Sequence, residues 1–125
     1  MKCALSINSS RKAGSNPSRP ASLRPTVLDI AWAAGIFEGE GNCNLDGTTT
    51  RATVTQKDRW LLDRLSDLFG GNVHERRAQY VLVNGKRTTV TSWGLYGARA
   101  RGFLMTIYLF LSPRRKEQVR RALGV

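Results

Sequence analysis

The stretch AWAAGIFEGEGN, residues 31–42, constrains this chain more than any other. Ala31, Gly35 and Gly39 recur every fourth residue, so on a helix they share one flank and leave a stripe almost bare of side chains. Such a stripe lets another backbone come very close. Gly41 is expected to stop the helix, and two carboxylates, Glu38 and Glu40, stand just before that stop. Acids at a helix C-terminus face the negative end of the macrodipole, a conflict of about 0.3–1 kcal/mol each. A divalent cation bound at the helix end would remove it.

The rest of the chain reads around this helix. Residues 1–26 hold Lys2, Arg11, Lys12, Arg19 and Arg24, no acids, many serines, and Pro17, Pro20 and Pro25. This composition cannot bury enough apolar surface to order itself, and a disordered basic tail is expected. An Arg- and Ser-rich, acid-free start also resembles an organellar transit peptide. Residues 27–125 form the expected domain. Thr26 caps a helix over about Val27–Glu40. Asn42-Cys43-Asn44-Leu45 alternates as a half-buried strand does, Asp46-Gly47 is a hairpin signal, and Arg51–Gln56 is the return strand. A second helix is expected over Lys57–Phe69, ended by Gly70-Gly71. Val73–Val83 and Thr88–Tyr96 read as a second hairpin about Asn84-Gly85, with Lys86 and Arg87 at its tip. A third helix is expected over Ala98–Leu111, and Ser112-Pro113 opens a last, basic one. Two hairpins make one antiparallel sheet, covered by helices on one face.

Charge narrows the partners. The chain carries 20 Lys and Arg against 9 Asp and Glu, a formal net charge of +11, spread over several segments. A field of that size points to a polyanion, nucleic acid first among them. The uncovered sheet face would carry Asn42, Asn44, Arg51, Thr53 and Thr55, with His74 and Arg76. Asn, Arg and Thr read base edges in a groove. An ordinary solvent face would look the same, because antiparallel sheets often have one; the pattern leaves both readings open. Cys3 and Cys43 give neither a disulfide framework nor a zinc spacing, and one histidine supports no histidine-based metal site. No apolar run reaches membrane-spanning length, so no membrane association is expected.

A family resemblance joins these pieces. AAGIFEGEG, residues 33–41, resembles the LAGLIDADG motif position by position. VTQK at 54–57, RWLLDRL at 59–65, LFGGNV at 68–73, SWGLYG at 92–97 and FLSPRRKEQ at 110–118 resemble later segments of the single-motif LAGLIDADG homing endonucleases. The resemblance covers about Val27–Leu123. It implies an α+β, αββαββα fold with a four-stranded, saddle-shaped antiparallel sheet lying in the major groove of double-stranded DNA. It implies a homodimer built on the motif helices, with Ala31, Gly35, Gly39 and Glu38 at the interface.

The second acid of the motif, Glu40, is implied to bind Mg²⁺ or another divalent cation beside the scissile phosphates, and Glu38 to bond near the helix ends. Gln56 matches the family's active-site glutamine. Arg114 stands where many members have a lysine; it can stabilise charge but not serve as a base. Arg59 is a candidate for a similar electrostatic role and Arg115 and Lys116 are DNA-binding candidates, although solvated surface residues would look the same at all three positions. Two departures stand out: the acids are Glu where Asp is commoner, and the first hairpin is short, which implies a small or weakly specified target. The implied function is site-specific, Mg²⁺-dependent double-strand DNA cleavage by an intracellular protein of an intron or phage mobile element, in a bacterial or phage-infected cytoplasm or an organelle. The alternative is a cleavage-inactive DNA- or RNA-binding protein of the same fold, a splicing factor or regulator. Composition alone would also allow an unrelated basic RNA-binding protein.

Overall fold

Thr26 and Asp29 start the first helix by satisfying each other. The Asp29 amide donates to Thr26 Oγ1 at 3.2 Å, and the Thr26 amide donates to Asp29 Oδ2 at 2.9 Å. This capping box fills two of the orphan donors of a helix N-terminus. The computed structural model describes residues 19–81, 84–85 and 87–125, with backbone alone at 76–81, 87 and 88. In it α1 spans Val27–Glu40, β1 Gly41–Asp46, β2 Thr49–Thr55, α2 Arg59–Phe69, β3 Asn72–Val81, β4 Arg87–Tyr96, α3 Ala98–Ile107 and α4 Pro113–Leu123. A 3₁₀ turn, Tyr108–Phe110, joins α3 to α4.

The four strands form one antiparallel sheet in the order β1-β2-β4-β3. Each hairpin is local, and β2 meets β4 in the middle. Cys43 faces Ala52, Ala52 faces Leu95, and Val54 faces Trp93 in the register. All of these are buried, so one face of the sheet is the core face. The helices pack there. Phe103 of α3 is the hub: its ring meets Phe37, Phe69 and Trp93 edge-on, with centroids 5.9, 5.0 and 5.2 Å away. Edge-to-face pairs of this kind add about 0.5–1.5 kcal/mol each beyond their buried area.

Glycine acts in two different ways at the element ends. Gly70 and Gly71 both have positive φ, 81° and 92°, and turn the chain from α2 into β3. Gly41 has an ordinary extended φ of −85°. It is required by space, because a Cβ there would overlap the ring of Phe37. Helix α1 therefore runs straight into β1 with no loop between them.

Three sequence expectations change. Residues 19–25 are docked, not part of a loose tail. The amides of Ser22 and Leu23 donate to the Asp67 carbonyl at 3.0 and 2.9 Å, and Arg19 pairs with Asp67 at 2.9 Å. They satisfy a carbonyl that the end of α2 leaves open. Residues 1–18 lie outside the described residues. Helix α2 starts at Arg59, two residues later than expected, with Asp58 extended at its N-cap. Helix α3 gives way to the 3₁₀ turn after Ile107, and Leu111 and Ser112 are extended ahead of Pro113. Among the described residues no helix is long and apolar enough to cross a membrane.

Gly41→Ala tests the space argument. Displacing the Phe37 ring is expected to cost about 1–3 kcal/mol, read as a lower urea midpoint with an unchanged slope.

Candidate functional site

The two acids at the end of α1 have opposite surroundings. Glu38 is half-buried and fully engaged. Its Oε1 accepts the Ser112 amide at 2.9 Å, and its Oε2 accepts the Ser112 hydroxyl at 2.7 Å. Ser112 is the N-cap of α4, and its Oγ also accepts the Arg115 amide at 3.3 Å. The carboxylate thus sits at the favourable end of a second helix dipole, which offsets the unfavourable end of its own. Hydrogen bonds from the Ser112 amide and hydroxyl hold its carboxyl below the ordinary glutamate range, with the Arg115 and Arg114 charges adding to the effect.

Glu40 is exposed and carries no ion pair among the described residues. Asp29, Asp46, Asp63, Asp67 and Glu117 each hold an arginine, while Asp58 and Glu75, like Glu40, have no ion pair among the described residues. Glu40 instead lines a cleft of about 330 Å³ with Thr55, Gln56, Lys57, Thr89, Val90 and Thr91. The Gln56 backbone amide donates to the Thr91 carbonyl at 3.0 Å, which pins the end of β2 to β4. The Lys57 backbone amide donates to Gln56 Oε1 at 2.8 Å. Glu40 and Gln56 are thereby brought to one place from separate elements.

These are hard oxygen donors, which suit Mg²⁺; that ion commonly takes one or two carboxylates and fills its remaining positions with water and phosphate oxygens. Among the described residues no three His, Cys, Asp or Glu side chains come together to hold a metal ion.

Next to this cleft, the face of the sheet away from the helices forms a shallow groove of about 530 Å³. Arg51, Thr53, Thr55, His74, Glu75, Ser92 and Tyr96 line it. The register places Asn42 opposite Thr53 and Asn44 opposite Arg51, so both share that face by strand parity, but neither lines the groove; Asn44 lines a separate cleft with Gln118 and Arg121 of α4. Arg51 is held at its tip by Asp46 at 3.6 Å and lies 5.6 Å from the Tyr96 ring centroid. Thr55 and Ser92 share a hydroxyl hydrogen bond of 3.0 Å.

Other expected site residues fall elsewhere. Arg115 is buried, with its Nε donating to the Glu38 carbonyl at 3.1 Å and its Nη1 to Gln118 Oε1 at 2.7 Å, so it holds helix ends together and does not face a ligand. The Asn42 side chain accepts from Gln118 at 2.9 Å, which ties it to α4. Arg114 lies in the first turn of α4 and is absent from the Glu40 cleft lining. Arg59 pairs with Asp63 at 3.5 Å and lines a neighbouring cleft with Arg19, Asn72 and His74. Lys116 lies 5.5 Å from the ring centroid of Tyr108, in the 3₁₀ turn. Lys86 and the side chains of Arg76 and Arg87 lie outside the described residues.

Lys57, Ser92 and Tyr96 line these sites without having been singled out by the sequence reading. Alternation with Trp93 and Leu95 is the signal that puts Ser92 and Tyr96 on this face. Lys57 is hidden because the expected helix begins there. Cys43 is a core residue: burial pushes its thiol up to about 11.

The stripe on α1 is open. A Cβ built on Gly35 or Gly39 meets nothing within 4 Å. Leu28, on the same helix flank two turns before Gly35, is 81% exposed. No protein-family model matches the chain, and no curated protein matches it.

Glu38→Ala is expected to cost about 1–2 kcal/mol, since two hydrogen bonds to a charge are lost at a partly exposed site. The depressed carboxyl also fixes a sign. Its contribution is complete above the unfolded glutamate pKa and is lost as pH falls through the lower folded value. The gap in stability between wild type and Glu38→Ala, from urea melts, should therefore shrink on acidification.

Proposed function

We propose that this chain is a homodimeric, Mg²⁺-dependent, site-specific double-strand DNA endonuclease of the LAGLIDADG type. The observation that carries the reading is the Glu40 carboxylate, without an ion pair among the described residues, at the end of an open small-residue stripe and in one cleft with Gln56. In a chain of net charge +11, a carboxylate left without an arginine is available for a cation.

The α+β arrangement with its four-stranded antiparallel sheet is compatible with the αββαββα fold of that family. The groove of Arg51, Thr53, Thr55 and His74 supports DNA as the polyanion, since its side chains can pair with base edges and phosphates. The stripe supports the dimer. Gly35, inside α1, and Gly39, in its last turn, have open space around them; an interior glycine costs about 1 kcal/mol relative to alanine, and nothing within the described chain returns it. A second α1 packed on the stripe would.

Bound Mg²⁺ would supply a polarised water and stabilise charge on the phosphate. Glu40 would hold the ion, Gln56 would orient a water through its amide, and Glu38 would keep the α1 end fixed through Ser112.

Two substitutions test the proposal. Glu40→Gln should abolish Mg²⁺-dependent cleavage of duplexes selected from a randomised library, with the binding constant within about threefold of wild type. Retained cleavage would overturn the role of Glu40. Binding without cleavage in the wild type would favour a splicing factor or regulator of the same fold. Gly35→Leu should turn a dimer into monomer or aggregate in light scattering after size exclusion; an unchanged dimer would put the interface elsewhere.

A further inference from the structure

The Glu40 cleft contains a cation that neither the stripe nor the sheet face accounts for. Lys57 sits on the short connection between β2 and α2, is exposed, and lines the cleft beside Gln56. Among the described residues it is the single Lys or Arg in that lining, and it makes no ion pair. Its position is not loose. Its own backbone amide is held by Gln56 Oε1, and the preceding residue is pinned to Thr91. Glu40 and Lys57 share the cleft without pairing with each other, so the space between them suits a group that a carboxylate-held cation and an ammonium can grip from two sides.

We infer that Lys57 contacts the scissile phosphate and stabilises the charge that builds on its non-bridging oxygens; this rests on the nuclease reading above. In the step concerned, a water oxygen bonds to phosphorus and one P–O ester bond breaks. The attacking water gives a proton to solvent, and the leaving oxygen takes one up from solvent. Lys57 moves no proton. Arg114, expected from the sequence to fill an electrostatic role, is outside the cleft lining.

The test uses the full chain and a duplex selected for cleavage by the wild type in Mg²⁺. Lys57→Met should slow single-turnover cleavage about 10²-fold at saturating protein, as loss of one preorganised charge contact does, while the duplex Kd changes less than about threefold. Lys57→Arg should recover the rate to within about tenfold, because charge is what the site needs. Lys57→Met cleaving at the wild-type rate would overturn the inference. So would a defect seen only in Kd, which would make Lys57 an ordinary binding contact. Lack of any wild-type cleavage would instead bring down the nuclease reading; inactive Glu40→Gln with fully active Lys57→Met would bring down Lys57 alone. Matching thermal melts for the variants exclude a folding defect.

Discussion

The Glu38 carboxylate between two helix ends holds this structure's working parts in place. It closes the C-terminus of α1 onto the N-cap of α4 through both oxygens. Arg115 locks the same junction from the other side through the Glu38 carbonyl and lies 5.7 Å from the Phe37 ring centroid. Phe37 in turn fills the space above Gly41. The point where helix becomes strand is thus fixed by packing, by charge and by hydrogen bonds together. Glu40, one residue before that point, inherits a defined position without spending its own carboxylate on it.

The small residues of α1 divide by flank. Ala33 and Ala34 are buried and let α1 sit close to its neighbours. Gly35 and Gly39 are exposed and serve no packing role among the described residues. A helix that only covered its own sheet would gain from alanine at both positions. The proposed dimer would bring another backbone onto this outer flank, where Leu28 is also uncovered.

Much of the fold is legible in the sequence because it rests on local signals. Thr26 with Asp29, Asp46-Gly47, Gly70-Gly71 and Ser112-Pro113 mark element ends by chemistry that acts within a few residues. Strand parity separates Arg51, Thr53 and Thr55 from Ala52 and Val54. What stays hidden has a different cause. Arg115 looks like its exposed neighbours in sequence, and only the long-range approach of Glu38 and Gln118 buries it. The docking of residues 19–25 depends on Asp67, which lies 48 positions from Arg19. Apolar periodicity draws Lys57 into the second helix, although the tertiary bond from Gln56 to Thr91 keeps it out. Sequence spacing carries local structure well and distant partners poorly.

The contrast between the two acids decides how the site should be viewed. A charge can be stabilised by neighbours or kept in reserve, and one carboxylate rarely does both. Glu38 is surrounded by donors, and its depressed pKa records how well they suit the charged form. Any cation competing for it would have to replace those bonds. Glu40 has no such donors to displace among the described residues, although arginines are abundant and the helix acids Asp29, Asp63 and Glu38 are all engaged. Leaving it open forgoes an ion pair with no return inside the isolated chain. On the proposed reading, what enters the cleft would meet a cation held by Glu40 on one side and the Lys57 ammonium on the other.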